Sequence, residues 1–213
     1  MALLHRIPPG RSGRLWLERR LAVARRGAEV LDEKIRVLEA ESRRVAADVD
    51  ATGDEWEAAA REARIWLQRT ALLDGERGLR LARQQEDATM EVSWGQLMGL
   101  RYPREAVCGA STADARPPVG SAAQDAARAA CARALDAAAR HAVARGAHAA
   151  IEGEKAATRR RLRAVEERWV PLLEDAVAQV ELRIAEHELG ELVRLRWMTD
   201  RQSATLGRLG RQR

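Results

Sequence analysis

Apolar residues recur every three or four positions over two long stretches of the chain, and the pattern breaks only between them. With Leu21 at position a of a heptad, the a series reads Leu21, Ala28, Ile35, Ser42, Val49, Trp56, Ala63 and Thr70. The d series reads Leu17, Ala24, Leu31, Leu38, Val45, Thr52, Ala59, Trp66 and Leu73. Fourteen of these 17 positions are apolar with no slip of phase, well beyond the three or four heptads that mark a coiled coil. At about 1.5 Å per residue, the predicted helix runs roughly 85–90 Å. A second stripe passes through Leu162, Val165, Trp169, Leu172, Leu173, Ala176, Val177, Val180 and Ile184, and Leu189, Leu192 and Leu195 continue it with a small drift in phase. Pro171 removes one helical hydrogen bond, to the carbonyl of Glu167, and predicts a bend there.

Between the stripes, period two replaces the helical period. Met90, Val92 and Trp94 alternate with polar residues, and a second short run, Leu97 to Tyr102, ends at Pro103. This predicts a small β-hairpin or strand pair. Residues 74–120 hold six glycines and three prolines, and Gly109–Gly120 has the composition of a flexible linker. The resulting division is an arm at 1–13, a coiled-coil helix at 14–73, an insert at 74–120, a second helix at 121–205 and a basic tail at 206–213. Two apolar-striped helices joined by a short insert bury their stripes by folding back on each other. The expected fold is therefore all-α, a long antiparallel two-helix coiled coil with a small mixed insert.

Composition supports this and removes most alternatives. The 213 residues include 42 Ala and 35 Arg but two Lys, one Tyr and no Phe. Alanine, arginine, leucine and glutamate are good helix formers, whereas the scarcity of aromatic and β-branched residues leaves little for a sheet. Net charge is +5, with 37 basic groups against 32 acidic ones. The surplus sits at the ends: residues 1–30 hold seven Arg against Glu18 and Glu29, and residues 190–213 hold six against Glu191 and Asp200. Such ends attract an acidic protein surface, nucleic acid or anionic lipid. A nucleic-acid reader or a homo-oligomeric basic scaffold is the alternative reading, but charge balances along most of the length and no aromatic-interleaved basic stripe is present.

Catalytic and cofactor motifs are lacking. Lys34 follows Glu33 and Lys155 follows Glu154, so neither fits a phosphate-binding loop, and no G-x-G-x-x-G exists. Cys108 and Cys131 are isolated. His5, His141, His148 and His187 read as solvated helix-face residues, and the string from His187 ends in Glu191 where a zinc helix needs histidine. The expectation is no cofactor, no metal and no chemistry of its own. The first residues, MALLHRIPPG, have too short an apolar core for a signal peptide, and no stretch approaches 18 apolar residues. The expected location is cytoplasmic.

Four segments in order carry a family resemblance. The run from Gly10 through Leu21, continued by Ala24-Arg25-Arg26-Gly27 and Leu31-Asp32-Glu33-Lys34, is similar to the opening of the D subunit of V/A-type rotary ATPases. Met98-Gly99-Leu100-Arg101-Tyr102-Pro103 resembles a middle segment of that family. Arg161 to Glu166 with Val170-Pro171-Leu172-Leu173-Glu174 resembles its C-terminal helix, and Leu192-Val193-Arg194-Leu195-Arg196 its basic-leucine ending. The resemblance implies a non-catalytic axle, monomeric within its complex and peripheral to the membrane. Its implied partners are the catalytic A and B subunits, the small F subunit and the funnel subunit above the membrane rotor. It also implies that the basic ends enter the A/B ring, for which Arg14, Leu17, Arg20, Arg25, Arg194 and Arg196 are the expected contacts. Trp94, Met98 and Tyr102 are the expected contacts with F or the funnel. A gamma-like axle of an F-type enzyme would need a sizeable α/β domain between its helices, and the 47 residues of the insert leave no room for one.

Overall fold

The computed structural model of the chain describes residues 8–82, 88–109 and 121–209, with the side chains of all of these except 81–82 and 202–209. Helix α1 spans Arg11–Ala82 and is followed by strands β1 (Thr89–Leu97) and β2 (Leu100–Gly109). Helix α2 covers Ala122–Ala164, a π-helical turn covers Val165–Trp169, and α3 covers Val170–Leu209. The fold is the expected all-α coiled coil with a two-stranded antiparallel hairpin between its helices. The linker expected at Gly109–Gly120 lies outside the described residues beyond Gly109, as do residues 1–7 and 210–213.

Local chemistry accounts for the helix ends. Gly10 takes φ 70° and its carbonyl accepts from the Gly13 and Arg14 amides, which starts α1 directly after Pro8 and Pro9. Gly75, with φ 64° and ψ 179°, puts a kink near the far end of α1. Ser121 caps α2: its hydroxyl oxygen accepts from the Gln124 amide and donates to Asp74 at 2.5 Å.

The chain divides into two compact units, Glu33–Thr158 and Met1–Asp32 with Arg159–Arg213. In the first, α1 buries Ile35, Leu38, Ser42, Val45, Ala63 and Thr70, all members of the heptad series. Across from them α2 buries Ala123, Ala130, Ala137, Ala144, Ile151 and Thr158, one residue in every seven. This seam is mostly alanine, which lets helix backbones approach closely. Thr70 donates to the carbonyl of Trp66 and also lies 3.0 Å from the carbonyl of Ala123, so a buried hydroxyl ties the two helices without an unmet polar atom.

Two departures appear on the same seam. Trp56 is 40% exposed and Leu73 72% exposed, although both hold heptad positions. Trp56 stacks on His141 at 5.5 Å between ring centroids, and Thr52 Oγ1 lies 3.3 Å from His141 Nδ1. His141 and His148 are therefore half-buried seam residues rather than solvated ones. The imidazole sits over Gly53, where an added Cβ would come within 3.3 Å of it.

The only two lysines of the chain occupy a polar layer in this unit. Lys34 of α1 pairs with Glu154 of α2 at 2.6 Å, with side chains only 19% and 22% exposed. Lys155 pairs with Glu152, which also accepts from buried Ser42. Lysine's compact ammonium suits this narrow space better than a planar guanidinium.

The hairpin packs on the same unit. Its turn is Met98-Gly99, with φ 49° and 83°, the paired positive angles of a tight two-residue connection. Leu97 thus ends β1 instead of opening the second strand. β2 continues past Pro103 because a bulge pairs Ser93 with Glu105 and Trp94 with Pro103, leaving Arg104 as the extra residue. Leu97, Leu100 and Tyr102 lie against the Leu38, Val45, Ala147 and Ile151 cluster. Gly146 admits the Pro103 ring, which would stand 3.2 Å from an added Cβ.

In the second unit, Leu17 is fully buried with Leu173, Ala176 and Val180, and Trp16, Leu21, Ala24, Val177 and Ile184 pack around them. Pro171 stands in the first turn of α3, directly after a π-helical turn. The π-helical turn just before it uses a longer bond, from the Val170 amide to the Val165 carbonyl, and inserts one residue into the helical count. Buried positions accordingly run at sevens through Ile151 and Thr158, then resume at Leu173 and Val180.

Candidate functional site

No chemical centre emerges. Among the described residues, no group of three or more His, Cys, Asp or Glu is placed to hold a metal, and no helix is long and apolar enough to cross a membrane. What the chain offers is surface, which falls into two regions.

The first is the terminal unit. Arg14 pairs with Glu18 at 2.8 Å and Glu181 at 3.3 Å, and the Glu18 hydrogen bond leads the effects that raise the Arg14 pKa. Arg25 pairs with Glu174 at 2.7 Å. Arg20 lies over the Trp16 ring, 4.7 Å from its centroid. Arg194 pairs with Glu191 at 3.0 Å, and Arg196 is exposed. These ion pairs lie in solvent and contribute little stability.

Leu17 departs from the rest. It is 0% exposed and holds α1 against α3, so it is a core residue and not a contact for another chain. An apolar residue in a basic run reads equally well as anchor or contact; only burial separates the two.

Farther along α3, the pattern reverses. Arg11, the first residue of α1, reaches Glu188 at 2.7 Å. After Glu188, every described side chain to Arg201 is exposed. Leu189, Leu192, Val193, Leu195, Trp197 and Met198 are each 58–67% exposed. The stripe continues in sequence, but no helix among the described residues covers it.

The second region is the hairpin. Trp94 and Met98 are 53% and 45% exposed, with Arg101 lying 5.2 Å from the Trp94 ring centroid. Tyr102 is half-buried against the helices, and its hydroxyl donates to Glu41 Oε1 at 3.4 Å. Glu41 is held below the usual carboxylate range, chiefly by the hydrogen bond from Arg44 and in part by that hydroxyl.

The family model of the ATP synthase D subunit matches residues 15–200, nearly the whole of this arrangement. The chain belongs to that family. No curated protein matches the chain. As a D subunit, it is a non-catalytic component of an ATP synthase complex of the V/A type. Val193, Trp197 and Met198, which were not among the expected contacts, lie beside Arg194 and Arg196 and share their exposure. Their signal was an apolar stripe running past the point where the first helix has residues to meet it.

Proposed function

We propose that this D subunit is the central-stalk axle of a proton- or sodium-translocating V/A-type ATPase or ATP synthase. In this reading it carries torque between the ring of catalytic A and B subunits and the membrane rotor, on the cytoplasmic side and peripheral to the membrane. The observation that supports it most is the uncovered end of α3. Six large apolar side chains between Leu189 and Met198 stand in water together with Arg194 and Arg196. Covering such side chains is favourable by roughly 1.5–3 kcal/mol each, and a collar of A and B subunits supplies that cover. Arg14, Arg20 and Arg25 on the same unit join them as contacts with the ring. Trp94 and Met98, with the outer edge of Tyr102, serve the contact with the F subunit or the funnel.

The test is rotation. With the A/B ring immobilised and a bead tethered through a biotin-acceptor peptide inserted within residues 110–120, ATP is expected to drive the bead in one direction. A bead that stays still while the complex hydrolyses ATP would sink the axle reading. Recovery of the chain alone or with nucleic acid, when the other subunits are expressed beside it, would return it to a generic basic coiled coil.

A further inference from the structure

The terminal unit carries an apolar groove of about 540 Å³ that the fold does not fill. Trp16, Val23, Ala24 and Gly27 of α1 line it together with Trp169 and Leu173. Val23 is 72% exposed and Trp169 40% exposed. At Gly27 an added Cβ would meet no heavy atom within 4 Å. The lining residues of α1 run from Trp16 to Leu31 along one face, a length of about 22 Å, which fits an elongated occupant rather than a compact small molecule.

Charge says what kind of occupant. Six arginines lie on this part of α1. Arg11, Arg14, Arg25 and Arg26 each pair with a carboxylate, on Glu188, Glu18, Glu174 and Glu29 respectively. Arg19 and Arg20 have no carboxylate within ion-pair reach among the described residues, and these two are the only charged residues lining the groove. On either side of the groove α1 arginines meet acids of this chain; at the groove the chain supplies none. Tryptophan and arginine are also the residues that dominate binding energy at interfaces.

We infer that the groove seats an amphipathic helix of a partner protein, with its apolar stripe between Trp16 and Trp169 and its acidic residues on Arg19 and Arg20. A groove between two helices accepts a third at ordinary helix spacing, with anchors three or four residues apart. Two arginines beside an otherwise apolar lining suit such a helix better than a nucleic-acid backbone, which needs cations at each phosphate. The inference rests on membership of a multi-subunit complex and not on rotation.

The experiment replaces Val23 with photoreactive p-benzoylphenylalanine in the assembled complex, with the same replacement at Leu195 in a separate preparation. Val23 is expected to crosslink to a partner segment whose acidic residues fall three or four apart beside an apolar stripe, as located by mass spectrometry. Arg19→Glu with Arg20→Glu is expected to lower that yield about tenfold. Gly27→Trp, which fills the groove, should do the same, while Gly27→Ala should not, and circular dichroism should show all of these variants folded. Crosslinks within this chain, to a second copy, to nucleic acid or to a segment without acidic residues would overturn the inference. So would silence at Val23 while Leu195 crosslinks to the ring. Silence at Leu195 alone counts against the axle reading and leaves the groove standing; silence at both removes both.

Discussion

Along α2 most of the buried residues are alanines, whereas along the end of α3 large apolar side chains are left in water. Ala130 is 1% exposed and Ala137 3%, but Leu192 is 63% exposed and Trp197 62%. Hydrophobicity alone would rank these segments the other way round. Burial depends on whether a second surface stands opposite, and small side chains at a seven-residue spacing are what allow a second helix to come close. The alanine seam is satisfied within the chain; the leucine-rich end of α3 stands exposed.

The sharpest way to break that contrast is to empty the seam. Ile151→Ala, at a fully buried position, is expected to destabilise the isolated chain by about 2–5 kcal/mol in urea unfolding. A cost below about 1 kcal/mol would mean that the seam is loosely packed and that burial by alanine is not selective. Overfilling it comes next. Ala137→Leu is expected to cost about 1–3 kcal/mol, because the close approach leaves no room for a branched side chain. Wild-type stability in that variant would show that the helices can move apart freely.

The polar layer gives an effect of similar or smaller size. Lys34→Met removes the 2.6 Å ion pair from the half-buried Glu154 and is expected to cost about 1–3 kcal/mol. Replacing both residues with Met should recover most of the loss, since a well-packed apolar pair often matches an ion pair. Failure to recover would show that the pair's charges do more than offset each other.

Acid gives a smaller, graded effect on the same seam. Glu152 is held below its ordinary value of 4.5, first by the hydrogen bond from Lys155 and then by that from Ser42, and Glu41 is lowered by Arg44. A lowered carboxylate pKa adds stability that is fully present above the ordinary value and lost as pH falls through the folded value. Melting temperature is therefore expected to drop on acidification below about pH 4.5, with a shallower slope in Glu41→Gln and Glu152→Gln. An unchanged slope in the double variant would show that other carboxylates set the acid response.

The smallest effect is expected at the exposed end. Leu192→Ala should change the isolated chain by no more than about 0.5 kcal/mol, because that side chain is 63% exposed. In the assembled complex the same change should weaken association, read as dissociation on gel filtration at falling concentration. Destabilisation of the isolated chain comparable to that at Ile151 would collapse the comparison.

The heptads of α1 were legible because an uninterrupted period of 3.5 allows one face to be buried and no other. The hairpin's existence was legible from the alternation of Met90, Val92 and Trp94, but its second strand opens at Leu100, three residues after the expected Leu97. Pro103 suggested an end to the strand, and only the bulge at Ser93 and Trp94, together with the space above Gly146, lets the strand pass it. Leu17 stood among the expected contacts because sequence spacing does not separate a core anchor from an interface residue one turn away.

The repeat and charge pattern by themselves determined a coiled coil, its antiparallel return through a hairpin, and basic ends, since periodicity and chain connectivity are local properties. Tertiary structure decided which positions of that repeat are used. It placed one lysine-carboxylate layer on the 33–158 seam, took up Pro171 with an extra helical residue, and paired four of the first six arginines of α1 while leaving Arg19 and Arg20 beside an open groove. Those outcomes depend on what stands across from each side chain, and a one-dimensional pattern carries no record of the opposing surface.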